Sequence, residues 1–262
     1  MSSIKVIKDN STQHILINDS FFNVDLSNHN ISMVLTDLPY GTTNAKWDNV
    51  LDLYTMWEHL NLITKPNTPI VLFAQTPFDK ILGCSNINKL KYEWVWEKTS
   101  ATGHLNAKKM PMKAHENILV FYDKLPIYNP QKTTGHKPAN TYTKHTSDGE
   151  LYGKTKLGIS GGKQTDRYPR DVLTYASDKQ KINLNPTQKP LDLLRYMVRT
   201  YTNVGDLVLD FTAGSMSTSV ACYLEGRNSI CIELDESQYN KSIQWVTNCS
   251  IKDPYKTEGT KQ

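Results

Sequence analysis

The chain has 262 residues, 38% of them hydrophobic, and Lys plus Arg exceed Asp plus Glu by 30 to 26. That length and apolar content suit one globular domain, or one domain with a large insertion, rather than a disordered chain. The net charge of +4 is too mild to name a partner by itself.

The first strand-like run is "ISMVL" at 31–35, and it leads into "TDLPYG" at 36–41. Apolar residues then recur at three and four through "LDLYTMWEHLNLI" (51–63), which predicts a helix. Short apolar runs follow at "PIVLF" (69–73), "YEWVWE" (92–97) and "NILVFY" (117–122), each expected to be a buried strand, with the Tyr and Trp of the second in the core. Residues 123–189 break the pattern: they are rich in Gly, Pro, Thr, Asn and Tyr, and hold twelve Lys/Arg against six Asp/Glu. Just upstream, residues 98–113 carry Lys98, Lys108, Lys109 and Lys113 and no acid.

Regularity returns with the helical pattern "PLDLLRYMVRTY" (190–201), where Pro190 suits a first turn. The strand "DLVLD" (206–210), the helix "STSVACYLEGR" (217–227) ending at Gly226, the strand "SICIEL" (229–234) and the helix "ESQYNKSIQWV" (236–246) complete the chain. Strands alternating with helices predict an α/β fold, a doubly wound and mostly parallel sheet with helices on both faces. The expected division is one domain from 1–122 and 186–250, an irregular basic insertion at 123–185 and a frayed tail at 251–262.

Cys84, Cys222, Cys231 and Cys249 have no CxxC spacing, and no His/Cys cluster forms, so no zinc or other metal site and no disulfide framework is expected. Reduced thiols point to the cytoplasm, the opening "MSSIKVIKDN" is not expected to be a signal peptide, and no apolar run approaches membrane length.

Open parallel sheets bind ligands beyond the carboxyl ends of their strands. Three strands end in polar loops there: "TDLPYG", "DFTAGSMST" (210–218) and "IELD" (232–235). The first suits chemistry on an exocyclic amino group. Such a nitrogen is a poor nucleophile because its lone pair is delocalised into the ring. Asp37 offers a carboxylate acceptor for one N–H. Pro39 restricts the backbone of Leu38, which fixes the direction of a second acceptor, the Leu38 carbonyl. Tyr40 offers a flat face for a base, where stacking is worth roughly 1–3 kcal/mol, and Gly41 lets the chain turn. Taken alone, each motif has a plainer reading. "TDLPYG" is also a strand-to-turn signal, "AGS" a tight turn before a helix, Glu233 and Asp235 solvated charges, and the lysines a solvated face.

"DLPY" (37–40) resembles the D-P-P-Y motif of amino-methylating DNA methyltransferases. "NPTQKP" (185–190) resembles that family's H-P-T-Q-K-P segment, "VLDFTAGSMSTSVAC" (208–222) its D-P-F-x-G-S-G-T-T loop, and "CIELD" (231–235) its G-I-E-x-x strand end. The order, catalytic motif first and cofactor loop last, is that of the permuted beta class, and "DLPYGTTNAKWD" is most similar to bacteriophage-borne members.

The resemblance implies an enzyme that flips a base from double-stranded DNA and methylates its amine with S-adenosylmethionine. Asp37 and Leu38 would hold the amine, Pro39 would set the turn and Tyr40 would stack on the base. An Asp at the motif's first position favours adenine N6 over cytosine N4. The cofactor would lie against Asp210, Thr212, Ala213, Gly214, Ser215, Ser217 and Thr218, with loop N–H groups at its carboxylate. Glu233 would meet the ribose, Thr187, Gln188 and Lys189 the amino-acid end, and Asp19 and Ser20 the adenine. The segment between the motifs corresponds to the family's target-recognition region. Arg167 and Arg170 are its expected base-edge or phosphate contacts, and Lys108, Lys109 and Lys113 further phosphate contacts. The family implies a bacterial or phage-infected cytoplasm, a restriction–modification setting and frequent dimerisation.

The chain departs from the family at Met216, where the loop's second glycine is expected, and at Phe211, Thr212 and Leu38. Met216 predicts either a slightly shifted loop or weakened cofactor binding, the latter giving a DNA-binding protein without chemistry.

Overall fold

The computed structural model describes residues 3–9, 11–41, 49–143, 158–178 and 188–251. It divides into two compact units, one of residues 1–129 and 171–262, the other Pro130–Arg170.

The larger unit is built on a nine-stranded sheet. Its strands are β1 (Ser3–Lys8), β2 (Gln13–Asn18), β3 (Ile31–Asp37), β4 (Ile70–Ala74), β5 (Leu90–Thr102), β6 (Lys113–Phe121), β9 (Val172–Tyr175), β10 (Leu207–Asp210) and β11 (Asn228–Glu233), in the order β1-β2-β11-β10-β3-β4-β6-β5-β9. The central ladder β2-β11-β10-β3-β4 is parallel throughout, and β6 and β1 add to it antiparallel.

Period-two alternation divides the strand side chains between two core layers. Met33, Leu35, Val71, Phe73, Ile118 and Val120 pack with α3 (Leu191–Tyr201), α4 (Ser217–Leu224) and α5 (Glu236–Ile251). Val34, Ile70, Leu72, Leu119, Phe121 and Leu209 pack with α1 (Leu53–Ile63) and α2 (Phe78–Ser85). Because both faces are covered, these strands appear in the sequence as unbroken apolar runs. The crossover through α1 leaves β3 toward β4 on one face, and the crossover through α4 leaves β10 toward β11 on the other. Neighbouring β3 and β10 therefore bracket the point where winding reverses, the usual ligand crevice of such sheets.

Several ends have visible causes. Asp52 caps α1 through its side chain, accepting from the Thr55 N–H at 3.1 Å. Gly226 has φ +70° just past α4, and Arg227 N–H bonds Cys222 O at 2.8 Å, a Schellman stop. Pro190 sits at the cap of α3 rather than in its first turn, and the Leu191 N–H is taken by Asp178 at 2.7 Å.

Val172–Tyr175 lies inside the stretch expected to be insertion, yet it is strand β9 on the sheet edge beside β5, because "VLTY" has the β-branched, aromatic composition of a strand. The smaller unit is an antiparallel ribbon: Thr133 bridges Arg167, and β7 (Tyr142–Thr143) pairs with β8 (Ser160–Gly161). No helix among the described residues is long and apolar enough to cross a membrane.

Candidate active site

Four neighbouring strands end in carboxylates or lead directly into them: Asp37 on β3, Asp210 on β10, Glu233 on β11, and Asp19 just after β2. The three loops singled out in the sequence meet here, and hydroxyls join them. Thr36 Oγ1 donates to Asp210 Oδ1 at 2.6 Å and lies 2.6 Å from Thr212 Oγ1, which in turn donates to the Asp37 carbonyl at 3.0 Å. The Gly214 N–H donates to Glu233 Oε2 at 2.7 Å, and Asn18 Nδ2 donates to the Glu233 carbonyl at 2.8 Å. Asp19 is used locally, accepting from Ser20 N–H at 2.7 Å and Asn23 Nδ2 at 2.8 Å.

Asp37 sits two residues beyond Leu35, on the same face of β3. Its Oδ1 accepts from the Tyr40 hydroxyl at 2.6 Å and its Oδ2 from Lys189 Nζ at 2.5 Å. Each oxygen keeps lone-pair capacity after those bonds. Leu38 is 2% exposed, and this anchoring of its side chain in the α1–α2 layer fixes the backbone around its carbonyl. The Tyr40 ring stacks on Phe78 with centroids 5.5 Å apart, and Pro39 is half-buried between Leu38 and Tyr40.

Lys189, expected at the cofactor's amino-acid end, lies beside Asp37. Its ammonium pairs with Asp37 and lies 3.3 Å from Glu116 Oε2, and Lys98 Nζ pairs with Glu116 Oε1 at 2.6 Å. Sequence reasoning missed Glu116. The available signal was a charge at a core-facing position of a buried strand, two residues before Ile118.

Gln188 beside Lys189 is 5% exposed, and neither end of its amide has a hydrogen-bond partner among the described residues. An orphaned buried amide favours a bound polar group beside it. Thr187 lies outside the described residues.

Burial pushes the Asp210 carboxyl up to about 6, against hydrogen bonds from Thr218, Thr36 and the Thr212 N–H. Burial also raises Asp37, opposed by Lys189, and raises Glu233, opposed by the N–H groups of Asp235 and Gly214. Burial alone would lower Lys189 and raise Glu116. Their ion pairs reverse both, holding Lys189 above and Glu116 below their ordinary values.

The loop at 210–218 uses several of its own N–H groups internally. Its N–H groups at Thr212, Ala213, Gly214 and Met216 already have partners within the chain: Thr36 Oγ1, Ile232 O, Glu233 Oε2 and Ala213 O. Ser217 and Thr218 open α4, and the first N–H groups of a helix have no intrahelical acceptor, so theirs can meet a carboxylate. Ser215 is buried and its Oγ donates to Ser217 Oγ at 3.4 Å.

Met216 takes the left-handed conformation a glycine would use, φ +60°, and its carbonyl starts α4 by accepting from Ser219 N–H at 3.0 Å. Its side chain is fully buried in the α3–α4–α5 core layer. Met216→Gly therefore relieves roughly 1 kcal/mol of left-handed strain but empties a core position worth about 2–5 kcal/mol. The expected net result, measured by thermal melting, is a loss of about 2 kcal/mol, or roughly 5 °C.

Arg167 is committed inside the small unit. Its Nη1 donates to Gln164 O and Asp166 O at 2.8 Å each, and its Nη2 to Lys137 O at 2.6 Å, so it clamps the ribbon rather than presenting a free guanidinium. Arg170, Lys108 and Lys109 are exposed. Lys113 is exposed at the start of β6, where it donates to Gln75 Oε1 at 3.3 Å.

A family model for a DNA methylase, of the N6/N4 methyltransferase group, matches residues 31–244. The type II methyltransferase M1.MboII of Moraxella bovis is 24% identical over 242 residues, covering 85% of this chain and 91% of that protein. The cytosine-N4-specific PvuII DNA methyltransferase superposes with TM-score 0.64 at 14% identity, covering 91% of this chain and 92% of that one. The M1.HpyAVI–SAM complex superposes with TM-score 0.55 at 20% identity, covering 83% and 90%. With these motifs gathered at one crevice and the family model spanning most of its length, the chain belongs to the N6/N4 family of DNA methylases.

Proposed function

We propose that this protein methylates N6 of adenine at a specific sequence in duplex DNA, with the base turned out of the helix and S-adenosylmethionine as donor. The observation that carries this reading is the Asp37 carboxylate, anchored on both oxygens yet with acceptor capacity on each, at the point where β3 and β10 diverge. Such a carboxylate accepts one N–H of an exocyclic amine while the Leu38 carbonyl accepts the other. Drawing both N–H groups out of conjugation raises the electron density on nitrogen. Stacking on Tyr40 offsets part of the cost of unpairing the base.

S-adenosylmethionine supplies, when bound, a methyl group made electrophilic by its sulfonium. Glu233 suits the ribose hydroxyls, since each of its oxygens carries one N–H bond and retains a lone pair. The Gln188 amide and the Ser217 and Thr218 N–H groups suit the amino-acid end, with Asp19, Ser20 and the remainder of 210–218 closing around the group. Lys108, Lys109, Lys113 and Arg170 serve the DNA backbone or base edges. The burial of Met216 in the core favours a working loop over a silent one.

A second reading keeps the site and changes the base. The 4-amino group of cytosine presents the same two N–H donors, and a similar fold belongs to a cytosine-N4 enzyme. Asp37 favours adenine through the motif it resembles.

The deciding experiment incubates the purified protein with unmethylated DNA and methyl-labelled S-adenosylmethionine, then digests the DNA and separates nucleosides. Label is expected in N6-methyldeoxyadenosine. Label in N4-methyldeoxycytidine would replace the base assignment, and DNA binding without label would favour a protein that has lost its chemistry.

A further inference from the structure

The core face of the sheet carries a row of charges that a packed interior ordinarily excludes. On β3 the face runs Met33, Leu35, then Asp37; on β6 it runs Val120, Ile118, then Glu116; on β5 it runs Trp94, Trp96, then Lys98. Period two places all three charges on the side that α3 covers, each one step past the last apolar side chain. The strands lie in the order β3-β4-β6-β5, so Asp37 and Glu116 are separated by β4, whose Phe73 pairs with Asp37 in register. Lys189, two residues before α3, spans that gap: its Nζ is 5.3 Å from the Phe73 ring centroid, 2.5 Å from Asp37 and 3.3 Å from Glu116. Lys98 completes the row at 2.6 Å from Glu116, with its Nζ 5.0 Å from the Trp96 ring.

The side chains of Lys189, Glu116 and Lys98 are only 6%, 10% and 14% exposed, so water screens the row weakly. Charges alternate along it, minus, plus, minus, plus, and each inner member has an opposite charge on both sides. A buried lysine with a single partner could rotate about its flexible stem. One hydrogen-bonded to Asp37 and in ion-pair contact with Glu116 on another strand is constrained from both sides.

We infer that Glu116 and Lys98 are positioning residues for methyl transfer: Lys98 holds Glu116, Glu116 holds Lys189, and Lys189 fixes the Asp37 carboxylate in the orientation that receives the target amine. The inference rests on the function proposed above and assigns parts to two residues outside the recognised motifs. The groups facing Asp37 are Lys189, Glu116, Tyr40 and, from β10, Asp210. Their charges set a sign pattern. Glu116 opposes ionisation of Asp37 and Lys189 favours it. Removing Glu116's charge moves the acid limb of activity to lower pH, and removing Lys189's charge moves it to higher pH.

The test compares pH–rate profiles of single-turnover methyl transfer for wild type, Glu116→Gln, Lys189→Met, Lys98→Met and Lys98→Arg. Glu116→Gln is expected to lower the rate roughly tenfold on the alkaline plateau, the scale of a small misplacement of a reacting group. The KM for DNA should stay within about twofold, since Glu116 and Lys98 are not among the residues assigned to DNA contact. Its acid limb should fall below wild type, that of Lys189→Met should rise above it, and Lys98→Arg should restore what Lys98→Met loses. Should Glu116→Gln not fold, the Lys98 pair carries the test alone, with Lys98→Met lowering the plateau rate, Lys98→Arg restoring it, and an unchanged rate in Lys98→Met overturning the inference. Unmoved acid limbs in an active enzyme overturn the inference alone. A wild type that transfers no methyl to DNA overturns the proposed function, and the positioning roles fall with it.

Discussion

Asp37→Asn is expected to lower single-turnover methyl transfer about 10³-fold, the scale seen when one preorganised polar group is removed from a reacting centre. The substitution keeps size and shape but replaces one acceptor oxygen with an NH2 that can only donate. That NH2 would face either the Lys189 ammonium, itself a donor, or the Tyr40 hydroxyl, and in both cases it removes one acceptor from the amine to be methylated. Lys189 retains Glu116, so the fold should survive with a melting temperature lowered by a few degrees. DNA affinity should hold, because the exposed lysines are untouched. The checks are rapid-quench transfer with labelled donor, a thermal melt and a DNA-binding titration. A variant within tenfold of wild type, with cofactor bound, would remove Asp37 from the chemistry.

The second large effect is on stability. Asp210 is buried at the end of β10, and its carboxyl is pushed up from 3.8 to about 6. An acid whose folded pKa lies above its unfolded value binds more protons folded than unfolded between the two. Stability therefore falls as pH rises across that window. Ionised Asp210 costs at most about 3 kcal/mol at pH 8 relative to an unperturbed carboxyl. Asp210→Asn keeps an oxygen to accept from Thr36 and the Thr212 N–H but cannot ionise. It should raise stability at pH 8 by up to about 3 kcal/mol, or roughly 6–10 °C in melting temperature. The gain should shrink below pH 6 and vanish near pH 4, where the wild-type carboxyl is protonated as well. Parallel melts of both proteins from pH 4 to 8 measure it, and a constant or opposite difference would refute the account. A stabilising substitution that weakens cofactor binding would mark Asp210 as a residue kept for function at the expense of stability.

The amino-acid sequence alone determined the frame of this molecule. Strands such as "PIVLF" and "NILVFY" are continuous apolar runs because both faces of the sheet are covered, and that signal survives without any knowledge of neighbours. Gly226 marked a helix end because few other residues tolerate the backbone a Schellman stop requires. The motif "DLPY" and the loop after "VLD" marked the crevice because chemistry at a strand end needs polar residues where apolar ones would pack. Strands β1 and β2, short α2 and edge strand β9 escaped notice, because polar residues break up their apolar runs.

What only the tertiary structure decided is which charges meet. Glu116 and Lys98 lie far from Asp37 and Lys189 in sequence, and their alignment depends on strand order, on register and on how α3 returns over the sheet. Arg167 looked like a nucleic-acid contact by composition and became a clamp because three carbonyls of its own ribbon lay within reach. Met216 left open in sequence either a shifted loop or weakened cofactor binding, and only the structure shows its left-handed backbone and its side chain in the core. Local sequence limits what a backbone can do and which face a side chain takes. Partnership between distant charges is set by a packing geometry that no local window contains.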